Sequence, residues 1–228
     1  MKQFVVGDIH GAYKALIQCL ERSSFDYEND QLVCLGDVCD GWPETNQAIE
    51  ELLKIRNLVF ILGNHDHWTL EWALGGNVND IWLSQGGANT IKSYPGGMPD
   101  THVNLLQNAR YYYLNKNKLF VHAGIDPEVP LEVQGPSTFL WDRSLYRTAM
   151  ARRINGDQKN ITPYDEVFIG HTPIHKYNDR PIKSCEVWLM DTGAGWDGTL
   201  TLMNIETKEV FISDRVDKMY PPGSGRIK

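Results

Sequence analysis

Cysteine is scarce in this chain. Cys19, Cys34, Cys39 and Cys185 are the four among 228 residues, and no pair has C-x-x-C or zinc-ribbon spacing. A disulfide scaffold or a cysteine-held zinc module is therefore excluded. Cys34, inside the apolar run QLVCL, reads as a core thiol. Long hydrophobic runs are also missing, since none approaches the roughly 20 residues of a membrane span. The opening MKQFVVGDIHG lacks the basic, then apolar, then small-residue pattern of a secretion signal. Positive charge is in deficit: 22 Lys and Arg stand against 29 Asp and Glu, a net charge of −7. Such a chain is not built to coat nucleic acid by charge, and neither a nucleic-acid nor a membrane partner is expected. Internal repeats and low-complexity tracts are absent too. What remains, with 42% hydrophobic and 22% charged residues, suits a single globular domain of cytoplasmic type, its oligomeric state left open.

Against this background one local pattern recurs. A short apolar run halts at a small cluster of Gly, Asp, Asn or His. Gln3 to Val6 ends in Gly7-Asp8-Ile9-His10, and Leu32 to Leu35 ends in Gly36-Asp37. Leu58 to Leu62 ends in Gly63-Asn64-His65-Asp66, and Leu119 to Val121 ends in His122-Ala123-Gly124. Val167 to Ile169 ends in Gly170-His171-Thr172-Pro173, and Val187 to Met190 ends in Asp191-Thr192-Gly193. Short Val-, Ile-, Leu- and Phe-rich runs bounded by Gly read as buried strands. Between the first three, Tyr13 to Glu21 carries Leu16, Ile17 and Leu20 at helical spacing. Glu44 to Lys54 does the same with Ala48, Ile49, Leu52 and Leu53. Alternating strands and helices give an α/β class with helices covering a sheet. Sites in such sheets lie beyond the carboxyl ends of the strands, so the polar clusters are expected to converge there. Later, Thr199 to Met203 and Val210 to Ile212, joined by Glu206-Thr207-Lys208-Glu209, predict a hairpin. Residues 75–110 are expected to form a loop-and-helix insertion. Residues 220–228, with Pro221-Pro222-Gly223-Ser224-Gly225, are expected to be a flexible tail.

Asp8, His10, Asp37, Asn64, His122 and His171 all follow such strands. Each alone has a plainer explanation: an Asp after Gly at a strand end is commonly a turn former or helix cap, and a lone His commonly a half-buried packing residue. Six clusters placed alike are hard to produce by turn chemistry. Carboxylate, amide and imidazole donors suit Mn, Fe or Zn. Six exceed the need of one tetrahedral ion, whereas two ions sharing a carboxylate use all of them. A pair of ions about 3.5–4 Å apart is a known clamp for phosphoryl displacement.

The ordered series GDIHG (7–11), GDVCDG (36–41), GNHD (63–66), VHAG (121–124) and GHTP (170–173) resembles the PPP-type metallophosphatases of the calcineurin-like metallophosphoesterase superfamily. That group includes bacterial and phage-type serine/threonine protein phosphatases and symmetrical diadenosine tetraphosphatases. The resemblance implies a metallophosphoesterase-type β-sandwich flanked by helices, with a dimetal site at the carboxyl edge of the strands. Asp8 and His10 would hold one ion and Asn64, His122 and His171 the other, with Asp37 bridging. A hydroxide between the ions would attack phosphorus, His65 would protonate the leaving oxygen as general acid, and Asp40 would hold the His65 ring and favour its charged form. Asn64 and Arg143 would also face the substrate. Arg147, Arg152 and Arg153 are rivals to Arg143, whose plainer reading is a surface ion pair. Two divalent ions are implied, Mn first, with Fe or Zn also suited. The implied substrate is a phosphorylated protein or a small phosphoester; a dinucleoside polyphosphate is the alternative, and a non-catalytic scaffold a weaker third.

One departure stands out. Protein phosphatases of this type carry GDxxDRG, and here the arginine's place is Gly41, followed by Trp42. One phosphate-binding fork is missing, so Gly41 is expected to open the site and Trp42 to line its wall. His67 reads as a polar residue at a helix entry, and His102 and His175 as surface or loop histidines. Tyr111-Tyr112-Tyr113 reads as packing rather than a base-stacking platform. Trp68, Trp72 and Trp82 are expected to pack the insertion, with room for one to line a groove.

Overall fold

A computed structural model describes residues Met1–Arg226. The strands are β1 (Gln3–Val6), β2 (Gln31–Cys34), β3 (Asn57–Phe60), β4 (Tyr112–Asn115), β5 (Lys118–Val121), β6 (Glu166–Ile169), β7 (Ile182–Ser184), β8 (Val187–Leu189), β9 (Thr201–Asn204) and β10 (Val210–Ile212). The helices are α1 (Tyr13–Arg22), α2 (Thr45–Leu53), α3 (Asn64–Ala73), α4 (Asp80–Trp82), α5 (Ala88–Ser93), α6 (Asp100–Gln107), α7 (Pro136–Trp141) and α8 (Ser144–Asn155).

The strands form two mixed sheets, ordered β10-β9-β1-β2-β3 and β4-β5-β6-β8-β7. Each has a parallel centre: β1, β2 and β3 in one, β5, β6 and β8 in the other. Antiparallel partners close the flanks: β9 and β10 on the first sheet, β4 and β7 on the second. The expected β9–β10 hairpin forms with Val210 opposite Met203. The two sheets face each other across Val5, Val33, Leu35, Ile61, Phe120, Phe168, Met190 and Met203, all buried. Phe168 stacks on Phe120 at 4.7 Å between centroids and on Trp188 at 6.3 Å. This is the expected sandwich with helices outside it.

The helical faces differ in detail from the periodic reading. In α1 the buried stripe is Ala15, Leu16, Cys19 and Leu20, while Ile17 is half-buried. In α2 Leu53 is 39% exposed, and Glu51 is buried, accepting a 2.7 Å hydrogen bond from the Tyr27 hydroxyl. A satisfied carboxylate thus takes a place that apolar periodicity assigns to leucine. The segment between α3 and β4 is helical and looped. Trp72, Trp82 and Tyr94 pack within it. His102, expected near the surface, is fully buried there, bonded through Nδ1 to the Tyr94 hydroxyl (2.9 Å) and through Nε2 to Glu50 (2.8 Å). Cys34 is buried as expected, and the cysteines Cys19, Cys34, Cys39 and Cys185 are all free. Tyr111 and Tyr112 pack on Phe139, and Tyr113 on Phe120. No helix among the described residues is long and apolar enough to cross a membrane.

Because Phe168 lies fully buried where the sheets meet, Phe168→Ala is expected to lower stability by about 3–5 kcal/mol. Urea denaturation followed by tryptophan fluorescence checks this, with the midpoint shifting and the slope unchanged.

Candidate metal centre

The parallel strands of both sheets end on one side, and each hands a polar residue to the same cleft. Asp8 and His10 follow β1, Asp37 and Asp40 follow β2, and Asn64 and His65 open α3 just after β3. His122 follows β5, His171 follows β6, and Asp191 follows β8. The tight exits from these strands require unusual backbone. His10, Asp37, Asp40 and His171 all have positive φ, between 49° and 68°. Asp and His tolerate this left-handed region better than most residues, but four such residues in one site store strain that surrounding contacts must hold.

Those contacts are specific. The Asp8 carboxylate accepts the His171 backbone N–H at 2.9 Å, and Asp37 accepts that of His65 at 2.9 Å. Asp66 accepts the N–H groups of Val38 (2.9 Å), Cys39 (3.0 Å) and Gly63 (3.1 Å), tying the turn after β2 to the start of α3. Gly63 and Gly170 have no room for a side chain, since a Cβ at either would run into the carboxylates of Asp37 and Asp8 respectively. The ring atoms are oriented by backbone carbonyls: His122 Nδ1 donates to Leu35 O at 2.8 Å and His10 Nδ1 to Cys39 O at 3.1 Å. Each leaves Nε2 turned toward the cleft, the arrangement by which a second hydrogen bond fixes a ligating imidazole.

Two donor groups form around one shared carboxylate. His10 Nε2 lies 3.7 Å from Asp37 Oδ2 and 4.0 Å from Asp8 Oδ2. On the other side His122 Nε2 lies 3.5 Å from Asp37 Oδ1 and 3.0 Å from Asn64 Oδ1. His10, Asp37 and His65 form one cluster of suitable size for an ion, and Asp37, His122 and His171 another. His171 Nε2 is buried without a hydrogen-bond partner. An orphaned imidazole nitrogen beside packed carboxylates fits a divalent cation, as does the all-oxygen-and-nitrogen donor set.

The electrostatics say the same. Burial pushes Asp8 well above the usual carboxylate range, reinforced by repulsion from Asp191 and Asp37. Burial also raises Asp37, and takes Asp66 to about 6 and Asp191 to about 7. It lowers His10 well below its ordinary value, His122 to about 4 and His171 to about 2. Buried carboxylates crowded together need positive charge, and buried imidazoles held neutral keep a lone pair free to donate.

Beside these donors His65 Nδ1 lies 2.7 Å from Asp40 Oδ2. Asp40 is fully buried and also accepts from Thr90 Oγ1 (2.7 Å), Trp82 Nε1 (2.8 Å) and Thr69 Oγ1 (3.4 Å). The contact with His65 forms as expected, but burial works against a charged ring. His65 is lowered to about 3 while Asp40 is raised to about 7. Trp82, expected to pack the insertion, also reaches the site through its indole N–H.

A cavity of about 350 Å³ opens over these residues, walled by Trp68, Trp141 and Trp196 and edged by Arg143 and Arg226. Arg152 and Arg153 are tied to carbonyls elsewhere, at Asn160 and Lys183, which leaves Arg143 as the cavity-lining member of that group. His67 pairs with Glu71 at 3.6 Å on α3, and the half-buried His175 pairs with Asp197 at 3.2 Å. Two cavity residues carry no signal of role in the sequence, Trp196 among glycines and Arg226 in a stretch rich in Pro and Gly that reads as loose; Asp191 closes one of the strand-end clusters but is not among the expected donors.

The family model for calcineurin-like phosphoesterases matches residues 1–199. The chain belongs to this family. The family is dimetal-dependent, and the His and Asp clusters of this chain could hold metal ions. Serine/threonine-protein phosphatase 1 of Salmonella typhimurium is 27% identical over 89% of this chain and 91% of its own length. The symmetrical bis(5'-nucleosyl)-tetraphosphatase of Pseudomonas fluorescens is 26% identical over 92% and 94%. The structure of a protein serine/threonine phosphatase from Saccharomyces cerevisiae shares the fold, with a TM-score of 0.62 at 13% identity over 99% of this chain and 83% of that one.

The raised carboxylates fix a pH dependence. A carboxyl raised in the folded state stabilises the fold below its unfolded pKa and loses that contribution as pH rises through its folded value. For Asp66, Asp191 and Asp40 that loss falls between about pH 4 and 7. A cation restores it. In cation-stripped protein, Mn at about 100 times its Kd should add about 2.7 kcal/mol at pH 8, or roughly 5–10 °C at this chain length. The shift should shrink at pH 5.5, where protons compete for the same oxygens. Scanning calorimetry at both pH values, with Asp37→Asn as a variant that loses the shift, is the check.

Proposed function

We propose that this phosphoesterase hydrolyses phosphomonoesters, with phosphoserine and phosphothreonine side chains of proteins and small aryl phosphates as substrates. The observation that carries the reading is the pair of donor clusters sharing Asp37, His10–Asp37–His65 and Asp37–His122–His171, with the fully buried Asp40 bonded to the cavity-lining His65 from behind. Asp8 and His10 would hold one ion and Asn64, His122 and His171 the second, with Asp37 common to both. Bound divalent ions would supply Lewis-acid charge against the phosphoryl oxygens and lower the pKa of a water. Mn is the ion to test first, with Fe and Zn as alternatives. Unbridged thiols suit a cytoplasmic setting.

The chain's own groups do the rest. Arg143 and Asn64 orient the phosphoryl group, the guanidinium through a fork of parallel N–H donors. His65, its Nδ1 fixed by Asp40, presents Nε2 to the cavity, where it delivers a proton to the departing oxygen. Charge from a bound phosphoryl group would oppose the burial that keeps this ring neutral. Trp68 and Trp141, in edge contact at 5.0 Å, screen the reacting atoms from water on one side. At about 350 Å³ the cavity is at the small end of ligand pockets, suited to one phosphoryl group and the head of its alcohol.

A second reading, hydrolysis of dinucleoside polyphosphates, draws on the three tryptophans and two arginines that line the cavity. Aromatic faces stack bases and guanidinium forks hold phosphates. Turnover of a phosphothreonine peptide against diadenosine tetraphosphate, each with Mn, separates the two. The first reading requires the peptide to be the better substrate by kcat/KM.

His65→Asn should keep full metal content while lowering kcat by about 10²–10⁴-fold on alkyl phosphates and far less on aryl phosphates with good leaving groups. Equal losses on both classes would remove His65 as the acid.

A further inference from the structure

The chain beyond β10 folds back onto the site. Tyr220 stacks on Trp42 at 4.9 Å with rings 19° apart, and its hydroxyl bonds to the Glu44 carboxylate. Lys14 Nζ holds Met219 O at 3.0 Å. Asn89 Nδ2 bridges Gly41 O (2.5 Å) and Ser224 O (2.7 Å), fastening the segment to the loop after β2. Gly225 lies so close to the Trp42 indole that a Cβ there would come within 2.9 Å of the ring. Trp42, itself anchored through Nε1 to Ala194 O at 2.7 Å, is thus the seat of the segment rather than the wall of the metal cavity. The sequence suggests a loose end; the structure lays residues 220–226 down on this seat, and Ile227 and Lys228 lie outside the described residues.

The segment delivers Arg226 into the cavity. Its guanidinium carbon lies 4.9 Å over the Trp196 ring. Nη2 is 2.7 and 3.1 Å from the two ring nitrogens of His10 and 3.3 Å from His65 Nε2. Nε is buried with no hydrogen-bond partner. A Cβ added at Gly41 would lie 3.0 Å from His10 O, 3.1 Å from His10 Cβ and 3.6 Å from Arg226 Nε.

We propose that Arg226 grips the substrate phosphoryl group, taking the place of the arginine that position 41 lacks. The inference rests on the phosphohydrolase reading and assigns to it a binding residue outside the family-matched residues 1–199. Three observations carry it. An unpartnered Nε beside an Nη gives the two parallel N–H donors that fit a phosphate edge. Position 41 cannot readily carry the arginine itself, because its φ is +97° and a Cβ would sit 3.0 Å from His10 O. Arg226 Nη2 lies 3.1 Å from His10 Nε2, a nitrogen assigned above to a cation, and two positive charges so placed would repel unless an anion lay between them, which links phosphate binding to the seating of Arg226.

The test uses the full-length, Mn-loaded chain, with inorganic phosphate as probe in isothermal titration and an aryl phosphate in kinetics. Arg226→Ala should weaken phosphate binding by about 10- to 100-fold and raise KM more than it lowers kcat, with metal content equal to the parent's. Arg226→Lys should fall between, and added guanidinium should partly restore the alanine variant. Unchanged phosphate affinity overturns the proposal. A higher kcat/KM in Arg226→Ala also overturns it, because the side chain would then be a plug. If the parent with Mn neither binds phosphate nor hydrolyses the ester, the phosphohydrolase reading falls with it. If the parent does both and the variant equals it, only the role of Arg226 falls.

Discussion

The site turns on a buried negative charge that the protein cannot neutralise cheaply by itself. Asp37 is 2% exposed, accepts one backbone N–H, and sits between the Nε2 atoms of His10 and His122. Asp8, Asp66 and Asp191 are buried close by, each pushed upward mainly by burial. The neighbouring imidazoles are pushed the other way and stay neutral. Carboxylates that want cations and imidazoles that offer lone pairs are two expressions of one environment. Packing this cluster into a hydrophobic sandwich calls for positive charge, of which the chain itself supplies the Arg226 guanidinium and bound cations would supply more.

The fold serves that requirement. Parallel strands in both sheets stop at one edge, and the turns after them carry donors on backbone held in sparsely populated conformations. Asp66 links two of these turns and the start of α3 through three N–H groups, so the donor positions are set by a rigid frame rather than by mobile side chains. The insertion after α3 contributes as well. It brings Trp82 and Thr90 to Asp40, and Asp40 in turn fixes His65. A segment that looks peripheral in the chain thereby orients a ring at the centre.

Much of this was readable from the sequence because each donor sits in a local signal. A strand of four residues, a glycine and a polar residue are neighbours in the chain, and hydrophobic runs that stop abruptly mark where strands end. The positions of Asp8, His10, Asp37, Asn64, His122 and His171 at strand ends and the β9–β10 hairpin follow from such short-range patterns, whereas the pairing of His65 with Asp40 is implied only by the resemblance to the family. Where local pattern and packing disagreed, packing decided. His102 is buried because Tyr94 and Glu50 satisfy both its ring nitrogens, and Leu53 turns outward while Glu51 finds Tyr27 inside.

Sequence by itself determined which residues could bind cations and the order in which strands would present them, since that information is carried by adjacent residues. Tertiary structure alone decided that Arg226 reaches His10 across 216 positions, that Trp42 seats the segment carrying it, and that Trp196 joins the cavity. Those contacts depend on how distant segments close over the sheet edge, and nothing local to a Pro- and Gly-rich stretch reports where its last side chain will point.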